Sequence, residues 1–184
     1  MYTVNTNGRV GGVRLTEAQP REAQILENLI QLYTHDFSEW WAGTPRGDLN
    51  PAGRFENYPL ALYWVRPSWS ALFIWHNDVL AGFSLINDQT HSGQPANRNV
   101  AEFFILRKHR RQGVGQIAAE HIFSSHPGSW EVAVARKNVQ AERFWGKTIR
   151  NCRRAMHIRE LDLHSPEWDG PVFQFEWDGM ATPP

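Results

Sequence analysis

The chain carries a single cysteine, Cys152, among its 184 residues, so no intramolecular disulfide can staple it. It also lacks an excess of charge of either sign, because nineteen Lys and Arg balance nineteen Asp and Glu. No whole-molecule field draws it to nucleic acid or to an anionic membrane, and any charge-driven recognition must be local. Apolar runs of the ~18 to 20 residues that span a bilayer are missing. The stretch around Asn5, Asn7, Gly8 and Arg9 has no apolar centre of the kind a secretory leader needs. A cytoplasmic protein without nucleic-acid or membrane partners is the simplest expectation. Repeats, low-complexity tracts and linkers are absent too, so one domain over residues 1–184 is expected, and 41% hydrophobic residues allow it a core of its own.

Chemistry that depends on metals or thiols finds little support. The eight histidines show no ligand spacing, and His121 and His126, five apart, do not share a helical face, so no metal is expected. Cys152 has Arg150, Arg153 and Arg154 nearby, but it reads as a buried or incidental thiol.

Hydrophobic periodicity gives the element order. A short strand is expected near residues 10–15. After Pro20 a helix follows, with Leu26, Leu29, Ile30 and Tyr33 at i, i+3, i+4 and i+7. Residues 42–58, punctuated by Gly43, Pro45, Gly47, Pro51 and Gly53, form a loop long enough to suggest a lid or binding loop. Two apolar and aromatic runs, 70–76 and 79–86, meet at Asn77-Asp78 and read as a β-hairpin. A polar loop over 87–98 then feeds a strand over 99–106. Val114, Ile117, Ala118 and Ile122 mark a helix that Pro127-Gly128 stops, and 130–135 reads as a buried strand. Asn138 precedes a helix bearing Ala141, Phe144, Trp145 and Ile149, and strands near 155–163 and 172–177 close the chain. The expected fold class is α/β, a mixed α+β sandwich.

The most informative stretch is 99–116. There Asn99-Val100-Ala101-Glu102-Phe103-Phe104-Ile105-Leu106 passes through Arg107-Lys108-His109 into Arg110-Arg111-Gln112-Gly113-Val114-Gly115-Gln116. A strand hands over to a helix through a basic turn bearing glycines. The first N–H groups of that helix have no partner within it, and without Cβ atoms at Gly113 and Gly115 a phosphate can approach them closely. Residues 107–111 could also be read as an RNA-binding patch, but the flanking strand lacks the interleaved aromatic and basic residues of such surfaces.

Arg-x-x-Gly-x-Gly at 110–115, after a strand and before an amphipathic helix, resembles the acyl-CoA signature of the GNAT superfamily of N-acetyltransferases. The Asn138, Ala141, Phe144-Trp145 segment resembles its second motif, and together the resemblance covers about residues 71–149. It implies a central mixed, mostly antiparallel sheet flanked by helices, with a splay between two central parallel strands. It implies acetyl-CoA as cosubstrate, its pyrophosphate on the backbone of Arg111, Gln112, Gly113, Val114, Gly115 and Gln116 with the Arg110 side chain. The pantetheine arm would run along the strand at Phe104, Ile105 and Leu106, with Asn138, Phe144 and Trp145 lining its other side. Glu102, on a strand face with Phe104 and Leu106, is the candidate general base through water, since an apolar setting raises a carboxyl pKa toward useful basicity.

The pattern departs from the superfamily at one point. Trp145 stands where a tyrosine serves as general acid, and an indole cannot do that work. Tyr2, Tyr33, Tyr58 and Tyr63 all lie upstream, so Tyr33 or Tyr63 would have to arrive from the N-terminal half. For the acceptor the resemblance points to the first helix and the loop after it, where Tyr33, Asp36 and Trp40, with His35, Glu39 and Trp41 beside them, suit a cationic amine through charge pairing and cation–π contact. The acceptor is expected to be a small-molecule or peptide amine. A non-catalytic acyl-CoA-binding module of the same fold is the alternative, and a homodimer is left open.

Overall fold

Turn chemistry and alternating apolar residues lay the elements down in the expected order in the computed structural model, which describes residues 4–5 and 9–179. The strands are β1 (Val4–Asn5), β2 (Arg9–Val10), β3 (Val13–Glu17), β4 (Ser70–His76), β5 (Val79–Asn87), β6 (Arg98–Ile105), β7 (Gly128–Ala133), β8 (Ala155–His164) and β9 (Asp169–Trp177). The helices are α1 (Ala23–Ser38), α2 (Val114–Ser125) and α3 (Val139–Arg150). Among the described residues the nine strands form one sheet in the order β1-β2-β3-β4-β5-β6-β7-β9-β8. Every pairing is antiparallel except β6 with β7. This is the mixed α/β architecture expected, a mostly antiparallel open sheet with helices on both faces.

Two local outcomes differ from the sequence reading. The strand expected at 10–15 is broken, because Gly11 and Gly12 at φ 54° and 74° turn β2 back against β3 with Val10 opposite Val13. Pro20–Glu22 makes a 3₁₀ turn before α1 begins, and there the Glu22 carboxylate accepts from the Gln19 N–H at 2.9 Å. The stretch around Asn7 and Gly8, on which the leader argument rested, and Tyr2 lie outside the described residues. Among those described, no helix is long and apolar enough to cross a membrane.

The sheet separates two layers of core. On one face Leu26, Leu29 and Ile30 of α1 pack with Leu60, Tyr63, Trp69, Phe83, Leu85 and Phe104. On the other, Ile122 and Phe123 of α2 and Trp145 and Ile149 of α3 pack around Trp130, Phe173 and Phe175. Period-2 alternation along β6 therefore sends Phe104 to the α1 side and Phe103 to the α2/α3 side. Gly82 on β5 is required where it stands: a Cβ there would run into the Phe104 carbonyl oxygen.

The parallel strands part soon after they meet. Only Arg98 opposite Trp130 and Asn99 opposite Glu131 are in register, and beyond them the ladder is open. Two features force the parting. Glu102 pairs with Leu85 and Val100 with Ile86, leaving Ala101 as an extra residue that bends β6 away from its neighbour. Aromatic rings then fill the wedge, with Phe103 5.0 Å from Trp145 and 5.8 Å from Phe144 between centroids. At the closed end Asn99 donates to the Asn87 side chain at 3.0 Å, inside the core.

Candidate active site

The gap between β6 and β7 opens into a cavity of about 540 Å³. Val100, Ala101, Glu102 and Phe103 line it from β6, Val132 and Ala133 from β7, and Asn138, Ala141 and Trp145 from the start of α3. The end of α1 and the loop behind it add Tyr33, Phe37, Trp40, Trp41, Arg46 and Tyr58.

The ladder fixes which backbone groups face that gap. Leu106 donates its N–H to the Ala81 carbonyl on β5 at 2.8 Å. Antiparallel alternation then turns the amides of Phe104 and Leu106 toward β5 and those of Phe103 and Ile105 toward the open side. The Ile105 carbonyl accepts from Arg110 Nε at 2.6 Å.

The turn beyond β6 is built for close approach. Arg107–His109 form a 3₁₀ turn, Arg111 and Gly113 follow with φ of 61° and 78°, and α2 starts at Val114 without any side-chain cap. The N–H groups of Val114, Gly115 and Gln116 are thus presented outward, with the positive end of the helix dipole behind them. A Cβ on Gly113 would meet nothing closer than Ile117 Cδ1 at 3.9 Å, so that glycine serves its positive φ, whereas Gly115 lies against the Phe144 ring. Gln112 turns back, its side chain donating to the Lys108 carbonyl at 2.8 Å. Asn138 caps α3 by accepting from the Ala141 N–H at 3.0 Å, a polar side chain spent on holding that helix start at the cavity wall.

Glu102 lies on the cavity wall among tyrosines that the sequence scatters. Tyr33 of α1 donates its hydroxyl to the Glu102 carboxylate. Tyr58 reaches the same carboxyl because its loop is pinned to α1: Gln31 bonds both the N–H of Phe55, at 2.9 Å, and its carbonyl, at 3.3 Å. Burial pushes the Glu102 carboxyl up to about 7, against hydrogen bonding by Tyr33 and Tyr58 and the charge of Arg46, all of which pull it down. The same burial raises the phenols, Tyr63 up to about 12 and Tyr33 well above its ordinary value, the Glu102 charge adding to both.

Asp36 lies apart from this cluster. Arg107 binds it with Nη2 at 2.8 Å and Nε at 3.1 Å, and Arg110 Nη2 binds its other oxygen at 2.6 Å. Burial works to raise its pKa, but the hydrogen bonds from the two guanidiniums override that and hold the carboxyl below its usual range. Asp36 and Arg110 are therefore engaged with each other, and Asp36 is not among the residues lining the cavity. Trp40 does line it, and its carbonyl accepts from Lys137 Nζ at 3.0 Å across the gap.

Sequence reasoning missed Glu131. This wholly buried carboxylate on β7 accepts from the Ser92 hydroxyl, from the N–H of His91 at 2.5 Å and from Gln174 Nε2 at 3.2 Å. It ties the polar loop after β5 to the sheet and so carries His91, its ring 4.0 Å from that of Trp168 and tilted against it, to the cavity rim. A carboxylate inside an otherwise buried strand was the available signal.

A sequence profile of the acetyltransferase (GNAT) family matches residues 26–149. The chain belongs to that family. Among curated proteins none matches in sequence. Solved structures do. An acetyltransferase from Thermus thermophilus superposes with a TM-score of 0.60 at 14% identity, over 95% of this chain and 97% of its own. The GNAT domain of S. lividans PAT gives 0.59 at 14%, over 97% and 96%. An Arabidopsis thaliana protein in complex with the bisubstrate analogue CoA-Ac-MVNAL gives 0.54 at 14%, over 89% and 97%. At such identities the likeness is one of fold. Acetyl-CoA is the family's acyl donor.

Proposed function

We propose that this family member is an N-acetyltransferase moving an acetyl group from acetyl-CoA to a primary amine, with Glu102 as the base. The observation that carries this reading is a carboxyl of pKa about 7 in the wall of the cavity where β6 and β7 part. Acetyl-CoA, when bound, supplies an activated acetyl thioester. The backbone from Arg111 to Gln116 offers N–H groups to its pyrophosphate, and those of Phe103 and Ile105 pair with the pantetheine arm as an added strand would. Phe144 and Trp145 wall the arm on the α3 side, Asn138 holds that helix in place, and the ladder bonds of Phe104 and Leu106 keep the strand flat against β5.

An alkylamine with a pKa near ~10 is protonated at neutral pH and must lose a proton before it attacks. Glu102 at about 7 is about half ionised at pH 7 and takes that proton directly or through one water. The nitrogen loses two protons on its way from ammonium to amide: one leaves to solvent, and the other can pass through Glu102 to the departing thiolate, downhill because the acid form of Glu102 is stronger than a thiol with a pKa near ~8.5. Such a return removes the need for a phenol at position 145. The aromatic walls of Tyr33, Phe37 and Trp40 hold the acceptor, while Asp36 braces α1 against the cofactor turn.

Substituting Glu102→Gln tests the role. Thiol release should fall by about 100-fold or more while acetyl-CoA still binds, and in the wild type kcat/KM should rise with pH through about 7. Unchanged turnover removes Glu102 from the chemistry, and a wild type that binds acetyl-CoA but turns over no amine is the binding module instead.

A further inference from the structure

Building on the acetyltransferase reading, the cavity's charges narrow the acceptor class. The carboxylate expected to attract a cationic amine, Asp36, is neutralised by Arg107 and Arg110. Asp169, at the far rim, is paired with Arg136 at 2.8 Å. Two cations on the lining have no such balance. Lys137 donates only to a carbonyl, and Arg46 has no carboxylate within ion-pair distance among the described residues.

Arg46 is also held in place. Its guanidinium lies over the Trp41 ring, 4.4 Å from the centroid, and Gly47 packs so closely on that ring that a Cβ would collide with it. Thr44 closes the turn beneath by donating both its N–H and its hydroxyl to the Trp41 carbonyl, at 3.0 and 2.7 Å. The charge is close enough to act on both Glu102 and Tyr33. A bare cationic amine entering here would meet an unbalanced guanidinium with one part-ionised carboxyl to offset it. A molecule carrying its own anion would satisfy both ends.

We propose that the acceptor is an aminocarboxylate, a free amino acid with an aromatic or large apolar side chain, whose carboxylate binds Arg46 while its amine faces Glu102. Phe37, Trp40, Trp41, Tyr58 and Trp168 supply rings for that side chain. Arg46 is then a specificity-determining residue, placed by the long loop that the sequence marks as a candidate lid.

The experiment compares kcat/KM for L-phenylalanine, L-phenylalaninamide and 2-phenylethylamine, by thiol release with saturating acetyl-CoA. The free amino acid should exceed both carboxylate-free amines by about 10- to 100-fold, the range of one charge-assisted hydrogen-bonded pair. Arg46→Ala should collapse that ratio toward one, Arg46→Lys should restore part of it, and Arg54→Ala, on the same loop outside the cavity, should retain it. Equal or better turnover of the carboxylate-free amines by wild type overturns the proposal and leaves the acetyltransferase reading standing, as does a ratio unaffected by Arg46→Ala. A dipeptide such as Asp-Phe preferred over every free amino acid assigns the anion to a peptide and overturns it as well. Failure of wild type to bind acetyl-CoA in a calorimeter overturns the acetyltransferase reading itself.

Discussion

At the scale of single residues, Glu102 combines two consequences of one environment. The burial that brings its pKa to about 7 suits it to the proposed role of base and makes its ionised form costly to the fold. The folded protein binds more protons at this site than the unfolded chain between the ordinary carboxyl value of 4.5 and about 7. Stability must therefore fall as pH rises through that window. Glu102→Gln, which cannot ionise, should gain on the wild type between pH 5 and pH 8, by on the order of 2 kcal/mol, as read from urea midpoints at each pH. A difference that does not change with pH would mean that the carboxyl is solvated. Glu102 itself was legible in the sequence, because period-2 alternation placed it beside Phe104 and Leu106. Its partners were not: Tyr33 lies 69 residues away and its pairing belongs to the fold. Arg110 shows the same limit, since the spacing that marked it for phosphate says nothing of an Asp36 74 residues upstream.

At the scale of elements, the strands and helices followed from local chemistry almost throughout, because apolar period and turn residues act over a few positions. The exception at Gly11-Gly12 came from reading an apolar run where two successive positive φ angles fold it back. The glycine at 82 offered no such local signal, being a requirement of its neighbour strand. Gly82→Ala would press a methyl group into the Phe104 carbonyl of β6, the strand that carries Glu102. Such a variant should lose about 2 to 4 kcal/mol and lower the cooperative melting temperature, by differential scanning calorimetry. A melt indistinguishable from wild type would show that β5 and β6 can slide apart there freely. The parting of β6 from β7 is also an element-scale event, set by the bulge at Ala101 and the Phe103, Phe144 and Trp145 rings. Sequence alone supplied the splay through a family resemblance, and the bulge supplies its physical cause.

Across the whole molecule, the proposed acceptor walls come from the N-terminal half and the proposed cofactor turn from the C-terminal half, and polar contacts of long sequence separation tie the two halves together. Asp36 with Arg107 and Arg110 is one, and Lys137 on the Trp40 carbonyl is another. Both are polar and long in sequence separation, and neither left a pattern to read. The proposed function requires acetyl-CoA to lie between β6 and β7 with its pyrophosphate on the Gly113 turn. Calorimetric titration of wild type and Gly113→Asp with acetyl-CoA tests it most directly. Asp tolerates the positive φ of that position better than most residues and a Cβ has room there, so the variant should fold, while its carboxylate repels the phosphates. Saturable one-to-one binding by wild type, weakened about 100-fold or more in a variant with an unchanged circular dichroism spectrum, is the predicted result. Wild type that does not bind, or a folded variant that binds equally well, would contradict it.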